Sequence, residues 1–145
     1  MHIKICSVAA VVLLAGSLVA PMAHAHGDVT PQPVDVSTLK PLGEKLLGVN
    51  PYRGDKEAVK EAIKVGEVGY AKNCARCHGL HAVSGGVSPE LRTLDSDKET
   101  DQYFLDITLH GRTRNGKVYM PGFQGVMGQE AIWAIRSYIE AQPKN

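Results

Sequence analysis

Cys74-Ala75-Arg76-Cys77-His78 places two thiols three positions apart, with an imidazole directly after the second. This is the c-type haem attachment pattern, in which the thiols add across the porphyrin's two vinyl groups and the histidine ligates the iron. The spacing has a physical basis, because one helical turn after the first cysteine brings the second cysteine and the histidine to one edge and face of the macrocycle. One haem c, attached through Cys74 and Cys77 and ligated by His78, is the expected cofactor. Two other chemistries use such a thiol pair. A redox dithiol wants a βαβ setting, whereas the flanks here read as helical. A zinc site needs four ligands, and His26, His81 and His110 stand at no recognised finger spacing from the motif.

The far N-terminus bears on the same question. Lys4, an apolar run from Ile5 to Ala20 and the small residues Ala23-His24-Ala25 read as a secretory signal over residues 1–25, cleaved before His26. The run is short for a membrane span of roughly 20 residues, and Cys6 has no lipobox before it. Removing 25 residues from 145 leaves 120, the size of one domain. It also removes Lys4 and no acid, so 15 basic face 15 acidic residues, a balance that speaks against nucleic-acid binding. Cys74 and Cys77 are then the only thiols left, in a chain expected in an oxidising space and with no cysteine spare for another disulfide.

Residues 26–56 carry Pro31, Pro33, Pro41 and Pro51 and read as an irregular arm, with Leu39, Leu42, Leu46 and Leu47 able to rest on a domain spanning 57–145. From Asp55 onward Val59, Ile63, Gly66 and Tyr70 recur at helical spacing and lead into Cys74. Gly66 inside that helix costs about 1 kcal/mol relative to alanine, so it predicts the close approach of another backbone. Residues 79–94, with Gly85-Gly86 and Ser88-Pro89, read as a loop. A helix is predicted over 97–111 from Tyr103, Phe104, Ile107 and His110, with Ser96 or Thr100 as N-cap and Gly111 as its stop. Residues 112–124 read as irregular, with turns at Asn115-Gly116 and Pro121-Gly122. A last helix over 129–141 sets Ile132, Ile135 and Ile139 on one face, with Gly128 a weak N-cap and Met127 a staple onto Ile132. No alternating strand or repeat is evident, so the fold class is all-α, a few helices and long loops around one covalently bound haem.

The second iron ligand separates electron carriers from haem proteins that bind gases or activate oxygen. Met120 and Met127 are the two methionines of the mature chain. Met127 abuts the last helix and has a packing role, whereas Met120 sits in a loop with Pro121 fixing the chain behind it, which makes Met120 the expected ligand. His110 is the rival and would give a bis-histidine site of lower potential; His81 lies too close to His78 to reach the opposite face, and His26 is remote. Arg112, Arg114 and Lys117 are candidates for neutralising haem propionates or facing a partner.

With these residues in view the chain resembles the class I cytochromes c over residues 57–141. Gly66 and Tyr70, with Ile135 and Tyr138, resemble the positions at which the family's N- and C-terminal helices cross. Ser88-Pro89-Glu90-Leu91 resembles the segment whose proline carbonyl accepts a hydrogen bond from the proximal histidine while the leucine lies against the haem, and Tyr119-Met120-Pro121 resembles the distal methionine loop. The resemblance thus implies roles for Pro89 and Leu91 at the haem. His26-Gly27-Asp28-Val29-Thr30, Asn50-Pro51-Tyr52-Arg53-Gly54, Ser84-Gly85-Gly86 and Ala134-Ile135-Arg136-Ser137-Tyr138 further resemble the periplasmic c-550 group that serves pyrroloquinoline quinone (PQQ) alcohol dehydrogenases, apart from Gly128 where serine is expected. That likeness implies an electron carrier, not an enzyme, which takes electrons one at a time from a PQQ-dependent alcohol dehydrogenase and passes them towards a terminal oxidase. A general shuttle with another donor, and a haem enzyme or gas sensor with an open distal site, are the alternatives.

Overall fold

A computed structural model describes residues 30–144, so the predicted signal and His26 lie outside the described residues. Within them the chain forms α1 (Lys56–Asn73), α2 (Ala75–His78), a 3₁₀ turn (Leu80–Ala82), α3 (Lys98–His110), β1 (Arg112–Arg114), β2 (Lys117–Met120) and α4 (Gln129–Glu140). The helical reading of the class holds, and none of these helices is long and apolar enough to cross a membrane.

The packing of α1 against α4 is the centre of the fold. Asp55 starts α1 by accepting from the backbone N–H groups of Glu57 and Ala58, at 2.9 and 3.1 Å. One face of α1 buries Ala62, Gly66, Gly69 and Tyr70. At Gly66 the helices meet so closely that a Cβ would overlap the carbonyl of Ala134, and one turn on the rings of Tyr70 and Tyr138 pack with centroids 5.2 Å apart. Gln129 and every residue of α4 from Ala131 to Ile139 are buried. A helix buried all round needs cover on each side, and α1 supplies only part of it.

The arm supplies more. Residues 30–55 form no helix or strand yet lie against the domain through specific polar contacts. Gln32 and Asn73 exchange two hydrogen bonds, at 2.7 and 3.1 Å. The N–H of Leu42 donates to Glu130 at 2.8 Å, that of Leu47 donates to Gln129 at 3.0 Å, and the Gln129 amide donates to the Gly43 carbonyl at 2.7 Å. At the arm's end Arg53 donates to Asp101 at 2.9 Å and to Glu140 at 2.5 Å. Asp101 also accepts from the N–H of Asn50 at 2.9 Å and from Arg136 Nε at 3.1 Å. Both Asp101 and Arg136 are wholly buried, so this network joins the arm, α3 and α4 inside the protein.

Three expectations need correction. The N-cap of α3 is Asp97, which accepts from the Thr100 N–H at 2.8 Å, not Ser96 or Thr100. Its buried face is Asp101, Phe104, Leu105 and Thr108, while Tyr103 is 54% exposed and His110 is exposed as well. The apolar count was misled because a charged residue, Asp101, occupies the inward position and is made tolerable there by two arginines. Residues 112–120 are not irregular: β1 and β2 pair antiparallel, with Thr113 opposite Val118 and Arg114 opposite Lys117. Asn115 and Gly116 turn the hairpin with φ of 51° and 74°, the left-handed pair that a two-residue turn demands. The strands escaped notice because they are very short and exposed on both faces, so no inward–outward alternation marks them.

Candidate haem site

The motif begins where α1 stops. Cys74 closes α1, its N–H donating to the Tyr70 carbonyl at 2.8 Å, and its own carbonyl accepts from the N–H groups of Cys77 at 3.1 Å and His78 at 2.9 Å. The four-residue helix α2 thereby sets Cys77 and His78 one turn beyond Cys74, on its side of the helix. Gly79 then breaks away with φ of 79°, where a Cβ would run into the Val83 carbonyl. Tyr70 holds the exit, its hydroxyl donating to the Gly79 carbonyl at 2.9 Å.

Cys74, Cys77 and His78 line a single cleft together with Tyr119, Met120, Pro121 and Phe123, and Asn73 and Ser88 complete its lining. Met120 thus shares a cleft with the motif, at the end of β2, whose partner strand β1 follows the Gly111 stop of α3. Gly111, with φ of 71°, has no room for a Cβ because the Met120 carbonyl lies against it. His78 Nδ1 lies 3.0 Å from the Pro89 carbonyl. A carbonyl only accepts, so Nδ1 carries the proton and the Nε2 lone pair is left for a metal. The two thiols are unpaired, and burial, followed by the neighbouring Cys77, pushes the Cys74 thiol up to about 12. This donor set suits a c-type haem: two thiols for the vinyl carbons, an imidazole of defined tautomer, and a thioether in the same cleft.

The remaining candidates fall elsewhere. Leu91 is half-buried against the hydrophobic core and is not part of the cleft wall. His110 is exposed, with Nδ1 3.0 Å from the Asp106 carboxylate, and His81 is exposed beside the Tyr138 hydroxyl at 3.3 Å. Met127 is buried in the core. No three His, Cys, Asp or Glu side chains converge on a metal position among the described residues. A separate surface cleft among Glu90, Arg92, Thr93, Asp95 and Lys144 holds only charged and hydroxyl groups, with Glu90 and Arg92 paired at 2.6 Å.

Tyr119 joins the cleft as part of the Tyr119-Met120-Pro121 loop, and Asn73 and Phe123 join it without having been expected there. Their signal was proximity in sequence: Asn73 directly precedes Cys74, and Phe123 follows Met120 by three positions.

A family profile described as "Cytochrome C oxidase, cbb3-type, subunit III" matches residues 61–139. The chain is 46% identical to cytochrome c550 of Pseudomonas aeruginosa over 129 residues, 89% of each chain. It is 41% identical to quinohemoprotein alcohol dehydrogenase ADH-IIG of Pseudomonas putida over 78 residues, which are 54% of this chain and 10% of that one. It is 29% identical to cytochrome c6 of Euglena gracilis over 75 residues, half of this chain and 84% of the relative. No solved structure gives a significant match. Taken with the Cys74–His78 motif, these similarities establish that the chain belongs to the cytochrome c family, as an electron-transfer protein with haem c and not an enzyme.

Proposed function

We propose that this is a periplasmic single-haem carrier, in which Cys74 and Cys77 attach the haem, His78 and Met120 ligate its iron, and Pro89 and Leu91 support the histidine side. The observation that supports the reading is the cleft that Met120 shares with Cys74, Cys77 and His78. When bound, haem c takes up and gives back one electron at its iron. The residues around it then have defined tasks. Pro89 holds the His78 ring in one tautomer and orientation through the 3.0 Å contact. Met120, at the end of a paired strand and ahead of Pro121, offers sulfur from a fixed backbone, so ligation changes little between oxidation states. A thioether opposite an imidazole also favours a raised potential.

The donor in this reading is a PQQ-dependent alcohol dehydrogenase and the acceptor a terminal oxidase. Similarity to cytochrome c550 along most of the chain supports a free carrier. Similarity to short stretches of two quinohemoprotein alcohol dehydrogenases supports the donor, since those relatives join a stretch like this one to a dehydrogenase in one polypeptide. Residues 1–25 serve as the export signal, 26–56 as the arm and 57–145 as the haem domain. Mixing the oxidised protein with substrate-reduced PQQ alcohol dehydrogenase tests the pairing: rapid haem reduction is expected, and reduction no faster than that of an unrelated cytochrome overturns it.

A further inference from the structure

We propose that the β1–β2 hairpin is the element by which the carrier docks its electron donor, and that the donor meets it with an acidic surface around an apolar centre. Only the donor's identity rests on the function proposed above.

The hairpin is exposed on both faces from Arg112 to Tyr119. It carries Arg112, Arg114 and Lys117, and no acidic residue stands anywhere between Asp106 and Glu130. Arg114 and Lys117 form no ion pair among the described residues, and Arg112 lies over the Tyr103 ring, 5.7 Å from its centroid, which steers the side chain without neutralising it. Next to these cations Val118 is 69% and Tyr119 68% exposed. A two-stranded hairpin alone has little stability in water, so apolar side chains turned outward on it do nothing for the fold. Cations around a valine and a tyrosine match the make-up of an interface, where aromatic and arginine side chains are enriched at the contact and charge steers the approach.

Position gives the patch its use. Tyr119 lines the haem cleft together with Cys74, Cys77 and His78, so a protein seated on the hairpin stands at the rim of the cleft. The three cations of the hairpin, with no acid between Asp106 and Glu130 in the sequence, favour a negative surface during encounter. The fused relatives explain why such steering is needed here. Linkage in one polypeptide supplies a high effective concentration of the two partners, whereas a separate carrier has to be recruited through its surface.

The test is stopped-flow reduction of the mature haem protein by substrate-reduced PQQ alcohol dehydrogenase at several ionic strengths. Wild-type rates should fall as salt rises. R114E/K117E should react about tenfold more slowly at low salt, with its salt dependence flattened or reversed. K60E/K64E, on the exposed side of α1, should stay near wild type, and an uncharged small reductant, durohydroquinone, should reduce all three proteins equally. Wild-type kinetics in R114E/K117E, an equal loss in K60E/K64E, or a slowed durohydroquinone reaction in R114E/K117E would each overturn the docking assignment alone. A wild-type protein that the dehydrogenase fails to reduce would overturn the donor assignment and this docking with it.

Discussion

Gly66 and Ala134 meet backbone to backbone, with the Ala134 carbonyl occupying the place where a side chain at position 66 would begin. In isolation G66A gains about 1 kcal/mol of helix propensity. In the folded protein the added methyl meets a main-chain carbonyl that no rotamer change can move, so α1 and α4 must separate, and overpacking of this kind costs about 1–3 kcal/mol. The clash outweighs the propensity. Thermal unfolding of the haem protein followed by circular dichroism should show G66A melting below wild type by several degrees.

Asp101 is buried beside two arginines, and Arg136 depends on it as much as the reverse. D101N keeps the shape but leaves the buried Arg136 charge with Glu140 alone, at 3.1 Å. Breaking a buried pair costs about 3–5 kcal/mol. Urea unfolding should show a loss of that order. Because Asp101 also holds Asn50 and Arg53, limited proteolysis should cut D101N first within the arm.

The same carboxylate predicts acid sensitivity. Burial works to raise the Asp101 pKa, but hydrogen bonds from Arg53, the Asn50 N–H and Arg136 outweigh it and hold the group below the usual carboxylate range. A folded pKa below the unfolded value means that the contribution to stability is complete above the unfolded pKa of about 4 and is lost as pH falls through the folded one. Unfolding free energy measured from pH 6 downward should therefore drop below about pH 4 in wild type. D101N, already without this contribution, should show a shallower drop.

Met120 lines the same cleft as the motif, whereas His110 faces Asp106 at the surface. Ferrous wild-type protein should bind carbon monoxide poorly at neutral pH, and M120A should bind it readily. An unchanged spectrum in M120A, or ready binding by wild type, would remove Met120 from the iron. H110A should leave the spectrum as it is.

Much of this site was legible along the chain, because its parts obey short-range rules. The Cys74–Cys77–His78 spacing matches one helical turn, and Asp55, Gly111 and Pro121 punctuate in the ways their backbone preferences dictate. Gly66 advertised a close approach by its cost. The hairpin was missed although Asn115-Gly116 marked its turn, since strands exposed on both faces leave no hydrophobic pattern. On α3 the inward face was misjudged because Asp101 looks like a surface residue until Arg53 and Arg136 are seen around it.

Haem attachment was decided by the sequence alone, since five consecutive residues on one helical turn place both thiols and the imidazole whatever the rest of the chain does. Tertiary structure decided which residues share the cleft with His78 and what covers α4. Met120 follows His78 by 42 positions, and Asn50 precedes Ser137 by 87, so neither contact belongs to any short window of sequence. Such contacts form only when burial along the crossing of α1 and α4 offsets the entropy of closing the long loops between them.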